Sequence, residues 1–67
     1  MFSYLQEGDK VNRNMAGIAM LMTVKQIDNG VITMVGGWQF DVATGAEIDD
    51  DLCWGPKYGR TGSTLTR

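Results

Sequence analysis

The chain has 67 residues, 43% of them hydrophobic, with one cysteine, no histidine and a formal net charge of −2 at pH 7. A chain of this length buries only about 60% of the surface that it exposes when unfolded, so it can form one small domain. The lack of histidine excludes catalysis by Ser-His-Asp or Cys-His groups and, with a single cysteine, a four-ligand zinc site.

Short strand signals separated by turn residues occupy the first half of the chain, and no window has the spacing of an amphipathic helix. Residues 7–11 have the composition of a turn that leads into a first strand. Residues 20–27 alternate as a strand does, and Asp28-Asn29-Gly30 then suits a type I′ hairpin turn, because Asn and Gly both adopt positive φ. Val31–Val35 is the predicted partner strand, rich in β-branched residues.

The second half continues the pattern of strands and turns. Gly36-Gly37 predicts a break, after which Trp38, Phe40 and Val42 share one face of a half-buried strand. A turn at residues 43–45 and a short return strand at 47–48 follow. We expect Trp38 and Phe40 to fill the core, together with the methionines at positions 15, 20, 22 and 34.

The last third begins with three consecutive carboxylates, at residues 49–51. They predict a cap for one helical turn over residues 52–54, because carboxylates accept hydrogen bonds from free N-terminal amides. Pro56 ends this turn, and residues 63–66 form a last short strand. Cys53, between Leu52 and Trp54, is predicted to be a buried and inert thiol.

These elements predict an all-β fold of five or six short antiparallel strands, with one short helical turn near residues 50–55. We expect a small SH3-like barrel, because closure removes the exposed edges of an open sheet. An OB-like barrel is the alternative, although it usually needs more residues and a helix. The prediction is a single domain over residues 1–67, with 1–6 and 59–67 as its flexible ends and glycines at the chain reversals.

Two segments resemble known families. Gly8-Asp9-Lys10-Val11, followed by Met22-Thr23-Val24, Ile27 and Gly30-Val31, is similar to the opening of small bacterial YodC-like proteins and to the first hairpin of SH3-like barrels, including KOW-type modules. The segment from Trp38 to Ile48 resembles a stretch found in very short phage and prophage proteins. The second resemblance implies a mobile-element accessory protein.

The chemistry of the residues favours binding over catalysis. Because the chain lacks histidine, we predict no enzymatic activity, no catalytic residue and no cofactor. We also predict no metal site, because three adjacent acids more often form a solvated turn than a cation site. We predict instead a protein-binding module that docks on a host or phage protein and modulates it. Partly exposed aromatic residues beside charged ones are frequent at interfaces. The predicted contact residues are therefore three acids and two aromatics: Asp49, Asp50, Asp51, Trp54 and Tyr58.

The alternative is a nucleic-acid-binding accessory protein. The basic, glycine-rich C-terminal segment would then contact phosphates and stack on bases through Lys57, Tyr58, Arg60 and Arg67. A further prediction is that the chain associates with itself into a homo-oligomer, because small barrels with exposed sheet edges often pair symmetrically. No signal peptide or long apolar stretch is evident, so we expect a cytoplasmic protein of a bacterial or phage-infected cell, without a membrane partner.

Overall fold

Six antiparallel strands form one strongly curved sheet in the computed structural model, which describes residues 2–66. The strands are β1 (Lys10–Met15), β2 (Ile18–Asp28), β3 (Val31–Met34), β4 (Gln39–Asp41), β5 (Glu47–Ile48) and β6 (Thr64–Thr66). Their order in the sheet is β5-β4-β3-β2-β1-β6. The described residues contain no helix, and the predicted all-β, SH3-like barrel is confirmed.

The two ends of the sheet meet where β5 begins and β6 begins. An isolated bridge joins Ala46 to Thr64, and the Glu47 N–H donates to the Ser63 carbonyl at 2.9 Å. The Leu65 N–H donates to the Gly45 carbonyl at 2.8 Å. These contacts close the sheet into a barrel around a small core.

A buried polar group reinforces this closure from inside. The Arg13 guanidinium donates to Glu47 Oε1 from Nη2 at 2.8 Å and from Nε at 3.0 Å. The Ser63 hydroxyl donates to the same oxygen at 2.5 Å. The side chains of Arg13 and Glu47 are only 12% and 4% exposed, so the pair links β1 to β5 away from water.

The core is filled by side chains that alternate along the strands. Ile32, Met34 and Phe40 are fully buried, and Phe2 and Leu5 pack against them from the N-terminal segment. The Phe2 ring packs against Gly45, where a Cβ would be 2.4 Å from ring atom Cε2.

Two tight hairpin turns use residues with positive φ. The predicted turn at Asn29-Gly30 is confirmed, with φ of 51° and 77°. A second turn of the same kind at Ala16-Gly17, with φ of 53° and 83°, joins β1 to β2. The sequence did not indicate this turn, because alanine is unusual in the left-handed region.

Several predicted positions are wrong. Trp38 is 42% exposed rather than buried, because its indole lies on Gly36 outside the space that Phe40 fills. Met15 and Met20 are 41% and 49% exposed. They lie on the same face of the β1-β2 hairpin as the buried Val11 and Met22, but here the hairpin extends beyond the barrel, so this face contacts solvent. The predicted helical turn near residues 50–55 is a hydrogen-bonded turn, described below.

Candidate functional site

Residues 49–54 form a small acidic turn that protrudes after β5. Asp49 and Trp54 pair through both backbone groups, at 2.9 and 3.1 Å. Asp49 Oδ1 accepts hydrogen bonds from the N–H groups of Asp51 and Leu52 at 3.0 and 3.3 Å. The carboxylate of Asp49 therefore holds the turn in shape, as the capping prediction required, although no helix forms.

Cys53 lies just before the end of this turn, and the prediction that its thiol is buried is wrong. It is exposed, and its φ of 56° places a non-glycine residue in the left-handed region. The tight reversal from Asp50 to Trp54 requires this conformation, since the Cys53 N–H donates to the Asp50 carbonyl at 3.3 Å. The thiol consequently lies at the surface of the acidic turn.

Tyr58 connects the acidic turn to the glycine-rich loop, residues 55–62. Its hydroxyl donates to Asp50 Oδ1 at 2.7 Å. This hydrogen bond, followed by desolvation and by the charges of Asp50, Cys53 and Asp51, raises the pKa of Tyr58 above its ordinary value of 10.0. Asp50 and Tyr58 thus form one polar unit at the surface.

Trp54 is half-buried and supports the same loop from below. Its indole packs against Gly62, where a Cβ would approach ring atoms Cδ2 and Cε2 to 2.1 Å. The partial exposure predicted for Trp54 and Tyr58 is confirmed. The contact with Gly62 gives Trp54 a structural role that the sequence did not indicate.

The glycine-rich loop carries two exposed cations and is closed by a backbone bridge. A bridge between Gly55 and Arg60 closes the loop, with the Gly55 N–H donating to the Arg60 carbonyl at 2.8 Å. Lys57 and Arg60 are exposed, and Lys57 Nζ is 5.4 Å from the centre of the Tyr58 ring. Arg67, the fourth predicted nucleic-acid contact, lies outside the described residues.

A groove of about 480 Å³ adjoins the acidic turn and was not predicted. It forms where β4 and β5 separate: Gln39 and Ile48 are still paired, and Trp38 and Asp49 are the next residues on each side. Its walls are the Gly36-Gly37 turn and the exposed indole of Trp38 on one side, and Ile48, Asp49 and Asp50 on the other. Leu52, at the tip of the acidic turn, is 48% exposed.

We define the acidic-aromatic groove as Trp38, Ile48, Asp49 and Asp50. An exposed indole and two aspartates line the same groove, and groups of these kinds attract a cation by ring quadrupole and by charge. Sequence reasoning identified the acids of this site and missed Trp38, since the pairing of β4 with β5 brings these residues together.

Within residues 2–66, no three carboxylate or thiol groups converge so that they could hold a metal ion. A second cavity, of about 220 Å³, lies between Thr44, Pro56 and Arg60. Over the same residues, no helix has the length and apolar character that crossing a bilayer requires.

Comparison of the chain with protein families, with curated proteins and with solved structures found no significant match.

Proposed function

We propose that this protein is a small accessory protein of the phage or prophage type, a non-catalytic module that docks on a host or phage protein and modulates it. The observation that carries the proposal is the acidic-aromatic groove, in which Trp38 is 42% exposed beside Asp49 and Asp50. Exposed tryptophan side chains in concave sites are frequent anchors of protein interfaces.

The charges of the groove define the kind of partner that it fits. A lysine or arginine side chain in the groove would lie between the indole face and the carboxylates, and its aliphatic stem would cover Ile48. Asp51 and Leu52 extend the same surface with one charge and one apolar side chain, both exposed. The partner segment is therefore basic, with apolar residues beside the cation.

The predicted contact residues take different parts in this proposal. Asp50, Asp51 and Tyr58 face solvent at least in part and are available to a partner. Asp49 holds the acidic turn through two N–H groups, and Trp54 supports the glycine-rich loop through Gly62. Trp38 replaces Trp54 as the aromatic anchor.

The nucleic-acid alternative has less support from the geometry. Lys57 and Arg60 are exposed, and Tyr58 offers a ring for stacking. The Tyr58 hydroxyl, however, donates a hydrogen bond to Asp50, which places a carboxylate beside that ring. A phosphate approaching this loop would also approach the carboxylates of the acidic turn, and phosphate binding depends on many uncompensated cations.

A titration with a short, unstructured peptide that contains several arginines and one leucine tests the proposal. The signal is the fluorescence anisotropy of a dye on the peptide, since Trp38→Ala removes one of the two tryptophans of the chain. We expect Trp38→Ala to weaken binding by about tenfold or more, as the loss of an anchor does. Asp50→Asn removes one charge and retains an acceptor for Tyr58, so it should weaken binding by about two- to fivefold.

The matched control is Asp28→Asn, which removes the same charge from the exposed end of β2, before the β2-β3 turn. It should change the affinity by less than about twofold, because exposed charges more than a Debye length away are screened. Equal effects of Asp28→Asn and Asp50→Asn would show that the peptide responds only to net charge and would contradict a specific groove.

A further inference from the structure

The N-terminal half of β2 has a free edge. Residues 18–23 pair with β1, whereas pairing with β3 begins only at Val24. The two-residue turn at Ala16-Gly17 determines which backbone groups point outward: those of Ile18, Met20 and Met22 face β1, and those of Ala19 and Leu21 point away from it.

An observed hydrogen bond fixes the same alternation. The carbonyl of Thr23, two residues beyond Leu21, accepts from the Val35 N–H at 2.9 Å on the outward side. The outward N–H and C=O groups of Ala19 and Leu21 have no backbone partner among residues 2–66.

This free edge also lacks the features that protect natural sheet edges. Such edges usually carry charges, proline or a covering segment. Residues 18–22 contain neither charge nor proline, and Ile18, Met20 and Leu21 are 70%, 49% and 62% exposed. Apolar side chains therefore lie on both faces of an unpaired strand.

We propose that this edge pairs with the same edge of a second copy of the chain, antiparallel across a two-fold axis at Met20. Ala19 then lies opposite Leu21 of the second copy, and Leu21 opposite Ala19. Each of these pairs exchanges two N–H to C=O hydrogen bonds, which satisfies the outward groups of both residues. Met20 lies opposite Met20 of the second copy on the other face.

The position of β3 limits the pairing to residues 18–22. In this register, Gly17 of the second copy lies opposite Thr23, whose carbonyl already accepts from Val35. The turn of the second copy thus ends beside Val35, which is itself 59% exposed. The incoming strand continues the line of β3 from the point where β3 turns away at Gly36.

A second copy is the occupant that this edge fits best. The segment is uncharged, so two antiparallel copies bring no like charges together. Pairing would bury the exposed side chains of Ile18, Met20 and Leu21 beside Val35, a small contact of the size that weak, transient dimers use. Because the bridge from Ala46 to Thr64 closes the other end of the sheet, the association stops at a dimer.

Sedimentation equilibrium of the full chain from about 1 µM to about 1 mM measures this association. We expect a reversible dimer with a dissociation constant on the order of 100 µM, in keeping with the small area. Met20→Lys places two like charges opposite each other and removes two methionines from the interface, so it should weaken the dimer on the order of a hundredfold. Leu52→Lys, at a site with the same exposure as Met20, should leave it unchanged.

Mixing Met20→Lys with Met20→Glu tests the register itself. Each variant alone should be monomeric, and the equimolar mixture should recover a dimer, because only this register places position 20 opposite itself. Thermal unfolding of each variant establishes that it folds, since Met20 pairs with Arg13 across the hairpin.

Amide hydrogen exchange of the unaltered chain gives a second measurement that needs no variant. The Ala19 and Leu21 amides should exchange more slowly at about 1 mM than at about 10 µM. The Met20 amide, directed at Arg13 within the β1-β2 ladder, should not change. A monomer at about 1 mM, or a dimer that Met20→Lys leaves intact, would overturn the proposal.

Discussion

Replacing Gly62 by alanine tests whether Trp54 is a structural support. Gly62 differs from the other glycines because its φ lies outside the left-handed region, so alanine meets no backbone strain there. A Cβ would stand 2.1 Å from two atoms of the Trp54 ring. Since carbon atoms in contact lie at least about 3.5 Å apart, the indole must move by about 1.4 Å.

The energy of this substitution has two opposing parts. Overpacking of this kind costs about 1 to 3 kcal/mol. Alanine also restricts the unfolded chain and thereby contributes about 0.4 to 1 kcal/mol to stability. We therefore expect Gly62→Ala to lower the free energy of unfolding by about 1 to 2 kcal/mol, which shifts Tm downward by about 4 to 16 °C in a domain of this size.

A double-mutant cycle with Trp54→Ala identifies the cause. Without the indole, Gly62→Ala should be neutral or should stabilise the protein by up to about 1 kcal/mol. Urea unfolding followed by circular dichroism measures all four proteins. Gly59→Ala is the control in the same loop. A φ of 68° is strained for alanine, and no atom lies within 4 Å of the added Cβ, so the cost of Gly59→Ala should not depend on Trp54. Equal effects of Gly62→Ala in both backgrounds would refute the packing of Trp54 on Gly62.

Three further outcomes follow from the structure. Glu47→Gln leaves the Arg13 charge buried and should lower the free energy of unfolding by about 3 to 5 kcal/mol, whereas the double variant with Arg13→Met should recover most of it in the same urea assay. Native Cys53 should react stoichiometrically with a thiol reagent, and protection of the thiol would contradict its exposure. Cys53→Gly should raise the free energy of unfolding by about 1 kcal/mol, because glycine relieves the strain of the positive φ. With the other tyrosine replaced by phenylalanine, the phenolate absorbance of Tyr58 should titrate above pH 10.0, and Asp50→Asn should move it down. Because the folded pKa of Tyr58 is raised, the stability from this contact is present below pH 10.0 and lost as pH rises through the folded value. An unchanged titration in Asp50→Asn would contradict the effect of the Asp50 charge on Tyr58.

Much of the fold was predictable because local turn chemistry sets the strand ends. Asn29-Gly30 and Gly45 adopt the positive φ values that their residue types favour, and the strands on either side follow. The turn at Ala16-Gly17 was not predictable, since alanine enters the left-handed region only where the surrounding hairpin imposes it. That turn decides which apolar residues of the β1-β2 hairpin extend beyond the core.

The candidate site was only partly predictable, because long-range pairing assembles it. The acids of the turn and the two aromatics near them are visible in the sequence as a charged and aromatic cluster. The hydrogen bond of Asp50 with Tyr58, the contact of Trp54 with Gly62 and the place of Trp38 in the groove depend on how β4, β5 and the glycine-rich loop meet. No local signal encodes these distances.

Binding of a basic protein segment in the acidic-aromatic groove distinguishes the proposed function from its nucleic-acid alternative. The most direct test is amide and indole NMR of the labelled full chain, titrated in turn with the arginine-containing peptide and with a single-stranded oligonucleotide. The peptide should shift the Trp38 indole and the amides of residues 48–52, and the oligonucleotide should leave them unchanged. Shifts confined to Lys57 and Arg60 on addition of the oligonucleotide, with no response of Trp38 to the peptide, would contradict the proposed function.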